Sequence, residues 1–168
     1  MSLYFDLVIN CYFREEISEE QVKVLHWLVD KDYELDFTPT LTVNYDEYDF
    51  GNVWENIRLA PHMLASNPEH PCISLLQHIH YTTIPLENNR EVYLWLLQYS
   101  GRWLHDDGFY EYYLPCVYWL ASIARAGLVG YWKETDYNVA PTHLIFATKY
   151  GVQSVDVNYP KPGHITTS

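Results

Sequence analysis

Two histidines set two residues apart, His78 and His80, are the side chains best placed for chemistry. They fall in an alternating run from Ile73 to Thr83, where Ile73, Leu75, Gln77, Ile79 and Tyr81 point one way and Ser74, Leu76, His78 and His80 the other. Two imidazoles on one strand face could begin a divalent-metal site or an acid–base pair, because the neutral ring binds metals and titrates near neutral pH. A third ligand must come from elsewhere. His105, Asp106 and Asp107 lie beyond the paired strand, and at roughly 3.3 Å per residue an unbroken strand carries His105 about 30 Å away. The chain must bend sharply near Ser100-Gly101 to bring it back. Asp6, His143 and Glu134 are further partners that the sequence allows.

Nucleophilic chemistry has one candidate, Cys116, which follows Pro115 near an expected helix N-terminus where the dipole favours a thiolate. No glycine-rich elbow or local nucleophile motif accompanies it, and neither a G-x-G-x-x-G nor a P-loop pattern occurs. Cys11, Cys72 and Cys116 are odd in number and widely spaced, which suggests reduced thiols in a cytoplasmic protein and no disulfide framework. No cofactor is expected, with a divalent metal at His78 and His80 as the alternative.

A different kind of site is the run Tyr45, Asp46, Glu47, Tyr48, Asp49 and Phe50. It offers carboxylates and ring faces together, which suits a docking loop for lysines and arginines of a partner protein. The bulk charge agrees: 22 acidic against 10 basic residues give a net charge of -12. Such a field repels phosphate backbones and anionic lipid, so nucleic acid and membrane surfaces are excluded as expected partners. Sixteen Tyr and six Trp exceed what one core of this size needs, and rings of that kind favour interfaces. A homodimer interface is another use for them.

The elements that must position these residues read as follows. Leu3 to Arg14 alternates as a half-buried strand. Ser18-Glu19-Glu20-Gln21 is a capping box that opens a helix running to about Asp30. A short strand follows over residues 40–45, then a helix opened by Asn52, with Trp54, Ile57 and Leu59 turned inward. Ile73 to Thr83 pairs with Glu91 to Leu104 through a loop of proline and asparagines, and the unbroken apolar run Val92 to Leu97 implies a central strand. Pro115 fits the first turn of a helix from Leu114 to Ala126 capped by Gly127, with Phe109 to Tyr113 irregular. Strands over 128–133 and 143–150 close the chain, Val152 to Val157 extending the last one past a bulge at Gly151.

The expected fold is α+β: a mixed or mainly antiparallel sheet with helices on one face, and possible halves of strand-helix-strand-strand order. One domain is expected over 1–158, with a loose tail over 159–168. The function expected is that of an acidic, aromatic-rich cytoplasmic binding protein, an inhibitor, immunity-type factor or adaptor that holds a basic protein. The alternative is a small-molecule-binding or metal-dependent enzyme built around His78 and His80.

Overall fold

The computed structural model describes residues 4–43, 51–69, 71–83, 90–104, 108–135 and 141–158. Six strands, β1 (Tyr4–Tyr12), β2 (Ile73–Thr83), β3 (Arg90–Leu104), β4 (Gly127–Glu134), β5 (Thr142–Thr148) and β6 (Gly151–Val157), form one antiparallel sheet in the order β2-β3-β1-β4-β5-β6. Among the described residues, three α-helices accompany it: α1 (Glu19–Val29), α2 (Trp54–Ile57) and α3 (Leu114–Ile123). The class is α+β. Among the described residues, no helix is long and apolar enough to cross a membrane.

Period-two patterning decides where the core lies. Phe5, Leu7, Ile9 and Cys11 of β1 are 0 to 5% exposed and join Val24, Leu25 and Leu28 of α1 and Val117 and Leu120 of α3 in one cluster. Full burial of each such side chain is worth about 1.5–3 kcal/mol, so a polar residue at any of them costs the fold heavily. The alternate side chains, Tyr4, Asp6, Val8, Asn10 and Tyr12, remain partly or fully exposed. Helix α1 contacts β2, while α3 contacts β5 and β6. The capping box forms: Ser18 Oγ accepts from Gln21 N at 3.1 Å, and Gln21 Oε1 accepts from Ser18 N at 2.8 Å.

Several local expectations are corrected. Strand β3 is interior but second from the edge; β1 and β4 hold the middle of the sheet. One face of its apolar run is buried, with Val92, Leu94 and Leu96 at 9% exposure or less; on the other, Leu97 is buried, Trp95 half-buried and Tyr93 63% exposed. β3 runs on without the sharp bend at Ser100-Gly101 that a His105 ligand would require, staying in register with β1 from Leu96 to Leu104. Gly101 serves another purpose, because a Cβ there would run into the Tyr99 ring.

Residues 40–43 form no strand among the described residues, only the bridge Thr42–Asn52. Asn52 lies one residue before the helix cap, Val53, and its Oδ1 accepts from Leu41 N and Trp54 N; Leu59 is 56% exposed rather than turned inward. Val152 to Val157 does not extend β5. Gly151, at φ 131°, reverses the chain, so β6 pairs back along β5 from Gly151 to Val157. The element order of the two halves therefore differs.

The link from β3 to β4 passes over β1. Both neighbours run antiparallel to β1, so they are parallel to each other and need a crossover, which α3 supplies. Phe109–Tyr113 is a single π-helical turn running into α3, started by Gly108 at φ 75°. Leu114 N–H reaches back to Phe109 O, and Pro115 takes the first turn of α3, where its missing N–H costs nothing. The register of β4 against β5 shifts between Leu128 and Gly130, and Gly130, paired with Ile9 of β1, lies so close to β1 that a Cβ on it would meet the Val8 carbonyl oxygen.

Candidate functional site

His78 and His80 sit on β2, at one edge of the sheet, and share a face as their spacing requires. The cross-strand residue opposite His78 is Trp95, and the two rings stack with centroids 4.6 Å apart and planes 11° from parallel. His80 faces Tyr93, centroids 5.4 Å apart, and its Nε2 lies 3.3 Å from Glu91 Oε2. On the other flank of Trp95, His26 of α1 meets the indole edge at 5.2 Å and stacks on Tyr33. The result is a continuous ladder of rings from Tyr33 through His26, Trp95, His78 and Tyr93 to His80. Tyr93 is 63% exposed, so the outer end of this ladder faces solvent.

The backbone at this edge is also specified. Phe13 N–H donates to Trp95 O at 2.9 Å, so Trp95 turns its peptide groups towards β1. Backbone direction alternates along a strand, so Val92, Leu94, Leu96 and Gln98 turn theirs towards β2. Their partners Tyr81, Ile79, Gln77 and Leu75 complete that ladder. Ser74, Leu76, His78, His80 and Thr82 therefore point N–H and C=O outward, where the sheet order ends. No strand among the described residues receives them. The strand carries no Asp, Glu, Lys, Arg or Pro, and its register with β3 is unbroken from Ile73 to Thr83. The usual protections of an edge, charge, proline or bulge, are all missing.

Other possible ligands of a His78 and His80 site lie apart from it. Asp6 is on the opposite side of the sheet, paired with Arg102 at 2.8 Å. His143 on β5 is four strand spacings from β2, about 19 Å at the usual interstrand distance. It has partners of its own: Nδ1 is 2.5 Å from Asp156 Oδ1, and its ring stacks on Trp132 at 3.8 Å. Close to that cluster, Tyr110 meets Trp132 edge-on, and burial plus the neighbouring Glu134 raise its pKa. No group of three or more His, Cys, Asp or Glu among the described residues is arranged to hold a metal ion. His105, Asp106, Asp107 and the run Tyr45, Asp46, Glu47, Tyr48, Asp49 lie outside the described residues, as does the tail 159–168.

Cys116 is fully buried, and burial pushes its thiol pKa up, opposite to what a nucleophile needs. Cys11 is pushed up to about 12 for the same reason. Many of the surplus rings are also inside: Phe5 stacks on Phe109 at 4.4 Å, Trp103 packs on Tyr113 at 4.3 Å, and Trp119 is 1% exposed.

Sequence patterning located the two histidines but not their platform, since Trp95 reads as one more apolar residue of β3. The parity of β2 against β3 was the available signal, because it sets His78 opposite Trp95 and His80 opposite Tyr93. No family model, no curated protein and no solved structure matches this chain.

Proposed function

We propose that this chain is a non-catalytic binding protein that holds an extended, basic segment of another protein along the outer edge of β2, as an inhibitor, immunity-type factor or adaptor does. The observation that carries the reading is an edge that no strand among the described residues covers: eleven residues, without Asp, Glu, Lys or Arg, with five outward-facing peptide groups beside a ladder of rings whose outer end is exposed. Strand addition uses such groups for affinity and the flanking side chains for selectivity. The reading takes the helices to share one face of the sheet, which the common core of β1, α1 and α3 supports. A basic segment suits the net charge of -12, the aromatic faces and Glu91 beside His80. Tyr45, Asp46, Glu47, Tyr48 and Asp49 belong to the same proposal through their chemistry. A cytoplasmic setting fits the unpaired thiols.

The test is selection of random displayed peptides on the purified protein, followed by binding to His78→Pro, His78→Ala and the triple variant D46N/E47Q/D49N. Enriched peptides should be extended and rich in Lys or Arg. They should lose binding to His78→Pro, keep much of it with His78→Ala, and weaken with the triple variant or in high salt. Peptides that bind His78→Pro as well as wild type would overturn the edge as the site. A dimer by light scattering that His78→Pro dissociates would assign the edge to a second copy of the chain and overturn the basic partner.

A further inference from the structure

We infer that a second, separate site exists for a small, multiply charged oxyanion, a metabolite carrying phosphate or several carboxylates, in the cleft between the β5–β6 turn and the first turn of α1. The cleft measures about 320 Å³ and lies where the chain leaving β1, the end of α3 and the β5–β6 turn converge. That is within the volume range of small-molecule pockets. In a chain with 22 acids and 10 bases, its lining holds two of the bases, Arg14 and Lys149, and no carboxylate.

Neither cation is neutralised by a carboxylate among the described residues. Arg14 Nη2 donates to Ser122 O at 3.1 Å, which orients the guanidinium and leaves the rest of its fork for a ligand. Lys149 sits over the Tyr150 ring, 4.8 Å from its centroid. Gln21 contributes a donor by elimination: its Oε1 is taken by Ser18 N–H, so the amide Nε2 is the group left over. Thr42 also lies in the lining. A planar fork, a point charge and neutral donors are what phosphate and carboxylate oxygens require. The acidic bulk of the protein does not defeat this, because at physiological salt charges beyond about 8 Å are largely screened.

The experiment is isothermal titration with pyrophosphate and with citrate at fixed ionic strength, using wild type, Lys149→Gln and Arg14→Gln. Binding of at least one probe with a Kd of about 1 mM or tighter is expected. Each substitution should weaken it about tenfold, the usual worth of a charge-assisted hydrogen bond. Preference for pyrophosphate assigns the site to phosphates, and preference for citrate assigns it to polycarboxylates. Because Arg14 also anchors the end of α3, Lys149→Gln in the exposed turn is the decisive variant. No heat with either probe, or equal binding by wild type and Lys149→Gln, overturns the inference. His78→Pro should leave the titration unchanged, which separates this site from the β2 edge.

Discussion

Proline substitution at two adjacent residues of β2 tests the outward direction of the His78 peptide group, on which strand addition depends. Gln77 pairs with Leu96 inside the sheet and donates its N–H to β3, whereas His78 turns its N–H to the free edge. Proline at residue 77 strips the donor from a carbonyl on Leu96, a residue only 9% exposed. Leaving such an acceptor unmade costs about 1–3 kcal/mol. Proline at residue 78 breaks no ladder bond but removes the stack on Trp95, worth about 0.5–1.5 kcal/mol. Alanine controls remove the side-chain part at both positions, and the φ strain of proline is common to both.

The cost of Gln77→Pro over Gln77→Ala should therefore exceed that of His78→Pro over His78→Ala by about 1–3 kcal/mol. In a chain of this size that is a difference of about 2–12 °C in Tm. Urea unfolding followed by tryptophan fluorescence reads both variants. Equal penalties, or a larger one at His78, would reverse the assigned parity and remove the backbone basis for strand addition.

Three further outcomes follow from single features. Cys11 and Cys116 are held neutral by burial, so each thiol stays protonated in the folded chain after its unfolded counterpart has ionised. Stability should be full below pH 9, the ordinary thiol value, and fall as pH rises towards the raised folded values. The slope is up to about 1.4 kcal/mol per pH unit for each thiol, and Cys11→Ala should make it shallower in urea midpoints taken through the alkaline range; an identical slope would refute the cause. Gly130→Ala should lower stability by about 1–3 kcal/mol in the same assay, since the new methyl meets the Val8 carbonyl; a neutral result would mean that β4 can draw back from β1. A double-mutant cycle on His143 and Asp156 should return about 0.5–1 kcal/mol, because Asp156 is 56% exposed and solvent screens the pair; zero coupling would make the contact incidental.

What the sequence revealed and what it hid divide along physical lines. Local rules were legible: the alternation of β1, the Ser18–Gln21 box, the β2–β3 hairpin and Pro115 in the first turn of α3 each depend on residues close in sequence. Strand order was not, because the run Val92 to Leu97 marks an interior strand without saying which strands lie beside it. Glycine was ambiguous for a similar reason. Gly151 looked like a bulge and proved to be a reversal, while Gly101 makes room for the Tyr99 ring; a missing Cβ permits all of these, and only the neighbours decide.

The candidate site shows the same division. Spacing alone set His78 and His80 on one face, but their environment comes from a second strand and from α1, through Trp95 and His26. The outward direction of the peptide groups along the β2 edge is invisible in composition, since it depends on a bond between Phe13 and Trp95. That bond fixes the parity of β3, β3 fixes β2, and the even-numbered residues of β2 are left with peptide groups that have no strand to receive them among the described residues. An edge of that length, without charge, proline or bulge, exposes the chain to aggregation unless something pairs with it. A protein segment laid along it would turn that liability into a binding site.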